Sequence, residues 1–413
     1  MTIRIFISLA TVILTLFACS NGSSGFNGQN ELSSSSFSND SSSSEVYDSN
    51  SGTSSSSSSS SSNSNSSSSN LIDEPSSSSN GASSSSSNNA TSGSLLINFT
   101  SDYKIGVLRW MKPSAISLDA GTIALPQDSK VSAGGGNIFV LSRLPGSLTC
   151  ISPKTIGDAN TIKQRALATN NPYDAAVIGS KGYIALFDAD YVQIFNTNTC
   201  ELSGRIDLPI SGANAASIKS SGDTLFVILQ RLESLDATKP GLLVRIKAST
   251  ETVIDTIQLK LYNPYASILS KGKLYVSAQS RYNKDWSYDY TKSGVEVVNL
   301  ATGTTDVLIT GTNLGGGAYS IAIDEANQIL YVSVSASTGN QPVKPVTLDG
   351  NAGAALPNIT DSSGDIVFDE EAKKLFVGDR AGLKVYNPAT KLTTAINQGG
   401  NALPPYSLSI ARW

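Results

Sequence analysis

Asn263-Pro264-Tyr265-Ala266-Ser267-Ile268-Leu269-Ser270-Lys271-Gly272-Lys273-Leu274-Tyr275-Val276 is the stretch that decides the fold. It reads as a corner, a short apolar strand, a tight turn and a second strand of Leu-Tyr-Val type. Lys271-Gly272 between two apolar runs is hairpin chemistry, because glycine accepts the left-handed backbone that such turns require. The phrase returns seven times between about residue 128 and the C-terminus. Its second strand recurs as Asn137-Ile138-Phe139-Val140, Thr224-Leu225-Phe226-Val227, Gln328-Ile329-Leu330-Tyr331-Val332 and Lys374-Leu375-Phe376-Val377, and its corner as Asn171-Pro172-Tyr173. The residues that mark the corners, Asp128, Tyr173, Asn214, Tyr265, Tyr319, Asp365 and Tyr406, stand 41 to 54 residues apart, room for four strands per repeat.

The seventh marker leads only into Ser407-Leu408-Ser409-Ile410-Ala411-Arg412-Trp413, a single strand. Its partners stand at the other end of the repeat region. Ser94 to Phe99 reads as a second strand, Gly106 to Trp110 as a third and Ala120 to Leu125 as a fourth. The expected fold is therefore all-β: a seven-bladed β-propeller over residues 94–413, built of four-stranded antiparallel blades, its last blade closed by N- and C-terminal strands. Closing a ring in this way removes exposed sheet edges.

With these strands in view, the chain resembles the YVTN-repeat (YncE-like) seven-bladed propellers, within a wider group of bacterial propeller lipoproteins. The resemblance rests on the Leu-Tyr/Phe-Val strands and on third strands running into Asn299-Leu300-Ala301-Thr302-Gly303 and Asn387-Pro388-Ala389-Thr390-Lys391. The Thr-Asn that names the repeat is absent after each Tyr-Val, and blade lengths vary. Such motifs carry architecture and say little about activity.

Residues 1–18 read as a secretory signal, with Arg4 as the charged start and Ile5 to Phe17 as an apolar run too short for an ordinary membrane span. Leu16-Phe17-Ala18-Cys19 resembles a bacterial lipobox, which implies cleavage before Cys19 and diacylation of its thiol. Ser20 in place of aspartate implies an outer-membrane lipoprotein, facing the periplasm or the cell surface. Residues 19–93 follow as a serine-rich tether whose composition cannot bury enough apolar surface to offset ordering entropy. Its coil dimension is roughly 50 Å and its full extension about 240 Å. Such tracts resemble linkers in surface proteins of fibre-degrading bacteria. The chain carries −4; with six acidic side chains in the tether and Arg4 in the signal, residues 95–413 carry about +1. A nearly neutral domain gives no electrostatic footprint for nucleic acid.

The chain contains no histidine, which excludes Ser-His-Asp and Cys-His catalysis, histidine-ligated haem or copper, and the usual zinc sites. There is no phosphate-binding glycine loop and no Asp-x-Asp-x-Asp-Gly calcium loop. Asp188-Ala189-Asp190 and Asp324-Glu325 read as solvated turn acids. No cofactor, metal or catalytic residue is expected. Cys150 falls in a third strand and Cys200 near the start of the next blade's fourth strand, so a bridge and two partly buried thiols both stay open.

In a propeller the loops entering each inner strand and those joining second to third strands share one face. That face gathers Tyr173, Tyr265, Tyr319 and Tyr406 with Arg143, Asp188, Gln230, Arg231, Gln279, Arg281 and Arg380. Arginines at one strand end in several blades make either an anion- or sugar-binding collar or a set of local ion pairs. The stretch from Gln279 to Gly294 does not repeat, and it holds Tyr282, Trp286, Tyr288 and Tyr290 interleaved with Asp285 and Asp289. Aromatic faces stack on pyranose rings or partner side chains, and neighbouring acids accept hydroxyl hydrogen bonds. The expected function is a membrane-anchored, non-catalytic binding or scaffold propeller for a glycan or protein partner, using loops 143–146, 230–241 and 279–294. One alternative is a histidine-independent lyase, lactonase or glycoside-acting enzyme built on Asp285, Asp289 or Asp188 with Arg281. The other is a purely structural envelope protein. Converging carboxylates in a deep central pocket would mark the enzyme, and a broad aromatic shelf the binder.

Overall fold

The structure is a computed structural model that describes residues 93–100, 105–126, 128–234, 236–279, 281–282, 287–336, 339–400 and 403–413. The signal, Cys19 and the tether up to residue 92 lie outside the described residues, as do Asp285, Trp286 and the side chains of Arg281 and Tyr282. Seven antiparallel sheets follow one another along the chain, and each inner strand packs against the next, so that the last meets the first. We number the blades from the first complete one, whose inner strand is Ser129–Gly134. Inner strands of blades 2 to 7 are Pro172–Ile178, Ala215–Ser221, Pro264–Ser270, Gly317–Asp324, Ile366–Asp369 and Pro405–Arg412.

The Leu-Phe-Val phrase is the second strand of each blade, and burial on both faces explains it. Successive side chains of a strand point to opposite faces. In blade 3, Leu225 and Val227 enter the core shared with blade 2, while Phe226 and Ile228 enter the core shared with blade 4. In blade 1, Ile138 and Val140 pack towards blade 7, and Phe139 and Leu141 towards blade 2. A strand sandwiched between neighbours loses the polar half of its alternation. Each fully buried side chain of this size contributes about 1.5–3 kcal/mol relative to exposure.

Blade 7 has the strand order Pro405–Arg412, Gly93–Thr100, Gly106–Met111, Ile123–Leu125. Leu95 pairs with Ile410 and Ile97 with Leu408 on one side, and Leu95 pairs with Met111 on the other. The N-terminal strand is thus held along both edges. Blade 5 departs from the four-strand expectation: among the described residues its sheet has three strands. Residues 349–357 occupy the fourth place irregularly, with Gly353 N–H donating to Pro345 (2.8 Å) and Leu356 N–H to Val343 (2.8 Å). The cause is local sequence. Asp349-Gly350-Asn351-Ala352-Gly353-Ala354-Ala355 is poor in strand formers, and Pro345 has no N–H to offer a ladder. Blades 1 and 2 are joined covalently by a Cys150–Cys200 disulfide with Cα atoms 6.0 Å apart. It connects a third strand to the turn that precedes the neighbouring fourth strand, Leu202–Asp207.

Candidate functional site

The corner residues meet at the axis of the ring. There the inner strands of blades 2 to 5 slip register, at Pro172/Asp174, Ala215/Ser217, Pro264/Ser267 and Ala318/Ile321. Each inner strand is also the edge of its blade, so it presents N–H groups with no ladder partner towards the axis. Side chains from the preceding blade supply partners at the same level: Asp174 Oδ2 accepts from Ile218 N–H (3.0 Å), Ser320 Oγ from Ile366 N–H (3.0 Å), Asp365 Oδ2 from Leu408 N–H (3.4 Å) and Ser407 Oγ from Val131 N–H (3.0 Å). Blades 3 and 4 are linked there by the Ser217 and Ser267 hydroxyls at 2.8 Å. The Ser or Asp at or just after the corner is a fastener between blades, and it recurs because the need recurs.

The axial cavity, about 220 Å³, contains two ion pairs. Lys130 Nζ lies 3.0 Å from Asp365 Oδ1, and Lys219 Nζ lies 2.6 Å from Asp174 Oδ2. Lys130 also sits 5.1 Å from the Tyr406 ring centroid and 5.6 Å from that of Tyr265. Burial by itself would lower the lysine pKa; the Asp365 carboxylate reverses this and holds Lys130 above its ordinary value. Beside this pair the corner tyrosines cluster. Tyr265 and Tyr319 stack at 4.3 Å with their hydroxyls 2.8 Å apart, and Tyr173 stacks on Phe187 at 5.1 Å. Arg143 is buried there, ion-paired with Asp128, donating to the Tyr406 hydroxyl (2.8 Å) and lying 4.9 Å from the Tyr173 ring. Burial pushes the Tyr173, Tyr265 and Tyr406 phenols above their ordinary pKa, so they stay neutral. Asp174 and Asp365 are the carboxylates facing the cavity, and each is neutralised by a lysine and held by backbone or serine donors. Among the described residues, no group of three or more Cys, Asp or Glu side chains is placed to hold a metal ion.

Backbone hydrogen bonds tie the second-to-third-strand loops to the segments that enter inner strands, on one face. Asn171 N–H donates to Arg143 (2.9 Å), Gln230 N–H to Asn214 (3.1 Å), Gln279 N–H to Asn263 (3.0 Å) and Arg380 N–H to Asp361 (2.8 Å). The three arginines of that face whose side chains are described each engage a different partner. Arg143 turns into the axis; Arg231 reaches Gln258 Oε1 (3.0 Å) and the Pro240 carbonyl (3.4 Å); Arg380 pairs with Asp361 (2.8 Å). The Gln230 side chain is buried, Gln279 Oε1 accepts from Asn263 (3.4 Å), and Asp188 accepts from Asn171 (2.8 Å). In the aromatic loop, Arg281-Tyr282 pairs with Tyr288-Asp289 as a short hairpin. Tyr288 and Tyr290 stack nearly parallel at 5.7 Å, and Lys292 lies 5.7 Å from the ring of Tyr262. Asp289 caps the turn that follows by accepting from Thr291 N–H (3.0 Å), which gives that carboxylate a local structural role. Asp128, Lys130 and Asp365 were not singled out as site residues from sequence. Their signal was that two of the seven corners carry an acid where others carry Tyr or Asn.

Compared with protein-family models, the chain matches none, and no curated protein matches it. Among solved structures it is similar to Kuenenia stuttgartiensis hydrazine synthase, with a TM-score of 0.55 at 14% identity over 73% of this chain and 92% of that one. It is also similar to AztD from Citrobacter koseri: the apo structure gives a TM-score of 0.51 at 12% identity over 78% and 99% of the two chains. A second AztD structure gives 0.50 at 13% identity, over the same shares. At such identities the likeness is one of fold, that of a β-propeller.

Proposed function

We propose that the protein is an outer-membrane lipoprotein of YVTN-like type, diacylated at Cys19 and facing the periplasm or the cell surface. Its propeller acts as a non-catalytic binding or scaffold module for a glycan or a protein partner. The partner is met by the face that carries loops 143–146, 230–241 and 279–294, with Tyr288 and Tyr290 as aromatic contacts and Trp286 beside them in sequence. The observation that carries this reading is the state of the axis. The carboxylates in the central cavity are bound to lysines and to neighbouring blades, which gives each a fastening role in the ring and leaves ligand contact to the loop face. The stacked Tyr288–Tyr290 pair lies on the loop face, where planar rings suit sugar rings and partner side chains. A glycan array and a pull-down with the full chain test the reading. Binding that survives removal of the Trp286 and Tyr288 rings, or turnover of a glycoside or lactone by the purified chain, would overturn it.

A further inference from the structure

A groove of about 390 Å³ lies on blade 2, where residues 190–191 and 205–211 come together. These are the ends of the third and fourth strands nearest the loop face. The groove is shallow and open to solvent, and its lining is more polar than apolar. The Asp190 carboxylate is fixed on one side, its Oδ1 accepting from Ala213 N–H (3.0 Å), and it lines the groove. Tyr191 pairs across the sheet with Asp207. Arg205 lies 5.0 Å from the Tyr191 ring centroid and 3.1 Å from Asp207 Oδ1. Pro209 and Ile210 also line the groove.

We propose that this groove binds one pyranose unit of a neutral glycan. The charge pattern selects the ligand class. A simple anion would meet two carboxylates, and a simple cation would meet the Arg205 guanidinium. A neutral polyol satisfies both, because each hydroxyl donates to a carboxylate and accepts from a guanidinium. Pro209 and Ile210 supply apolar surface for the C–H face of a sugar ring, while Tyr191, packed against the core, carries the Arg205 guanidinium over its ring. The Arg205 and Asp207 side chains are 61% and 72% exposed, so their mutual ion pair is worth little in water and yields readily to a ligand. This site is separate from the aromatic loop of blade 4 and stands whether or not that loop binds.

The test is saturation-transfer NMR on the full chain with cellohexaose, xylohexaose and laminarihexaose as neutral probes, and with trigalacturonate and hexalysine as charged ones. The expected result is transfer from at least one neutral probe, with affinity at least tenfold weaker in Asp207→Asn and Tyr191→Ala and unchanged in Asp306→Asn, an exposed blade 4 side chain outside both proposed sites. Tyr191 is half-buried; if its variant does not fold, the exposed Asp207→Asn substitution carries the comparison. The proposal is overturned by no transfer from any neutral probe, by transfer from charged probes alone, or by affinity that Asp207→Asn leaves unchanged. Binding that is lost in Tyr288→Ala and kept in Asp207→Asn would favour the blade 4 loop and reject this groove.

Discussion

Asp365→Asn removes one member of the ion pair that joins blade 1 to blade 6 across the axis. Lys130 Nζ is 3.0 Å from the Asp365 carboxylate, and the two side chains are 9% and 19% exposed. Without that carboxylate, the ammonium keeps only the faces of Tyr406 and Tyr265, 5.1 and 5.6 Å away. Breaking a buried pair from one side costs about 3–5 kcal/mol, because the remaining charge stays desolvated. Asparagine still accepts from Ser407, and Asp365 is partly accessible, so the lower end, about 3 kcal/mol, is expected. For a domain of about 320 residues that is a fall in Tm of roughly 4–5 °C. Urea unfolding followed by tryptophan fluorescence and circular dichroism measures it, in a cycle with Lys130→Met and the double variant. The double variant should recover most of the loss, with a coupling of about 2 kcal/mol or more. A single-variant cost below about 1 kcal/mol, or strictly additive costs, would refute the view that these charges fasten the ring.

Three further outcomes are expected. Glu296 is 1% exposed and accepts from the N–H groups of Lys260 (2.8 Å) and Leu261 (3.0 Å). Burial raises its pKa above the ordinary 4.5, with those donors pulling it back only in part. A raised carboxyl pKa gives stability that is present below the unfolded value and lost as pH rises through the folded one. The stability of wild type minus that of Glu296→Gln should therefore fall as pH climbs from about 4.5, and a rise would contradict the burial argument. Replacing both Cys150 and Cys200 by serine removes a cross-link between residues 50 apart in sequence, worth about 4 kcal/mol on chain entropy. Alkylation and mass spectrometry of the native chain should find neither thiol reactive, and the double variant should unfold at lower urea. A chain begun after Thr100 loses the strand held on both edges in blade 7 and should show no cooperative transition. A sharp thermal transition from that truncation would count against terminal closure.

The ring itself was legible because its physics is local and repeated. The Lys271-Gly272 turn and the Leu274-Tyr275-Val276 strand state a hairpin on their own, and burial on both faces removes the polar alternation that would otherwise blur the pattern. Closure could be read because the seventh copy was incomplete, and Ser94 to Phe99 supplied the strand it lacked. The polar axis was not legible, since Lys130 and Asp365 are separated by 235 residues and only ring geometry brings them together. The arginines show the same limit. Arg143, Arg231 and Arg380 stand at equivalent strand ends, yet each takes a different partner, because Asp128, Gln258 and Asp361 differ from blade to blade. The fourth strand of blade 5 fails where the glycine- and alanine-rich run at 350–355 meets Pro345, a detail that repeat spacing averages away. The blade 2 groove joins residues from two strands and a connecting segment, and no run of sequence announces it.

On the proposed function, the axis holds the ring together and the loop face meets the ligand. The most direct test measures affinity for whichever glycan or protein the array or pull-down returns, comparing Tyr288→Ala with the Lys130→Met/Asp365→Asn double variant. Tyr288→Ala should lose at least tenfold in affinity, and the double variant should stay within twofold of wild type. Loss of binding in the double variant, with Tyr288→Ala unaffected, would place the ligand in the axial cavity and contradict that reading.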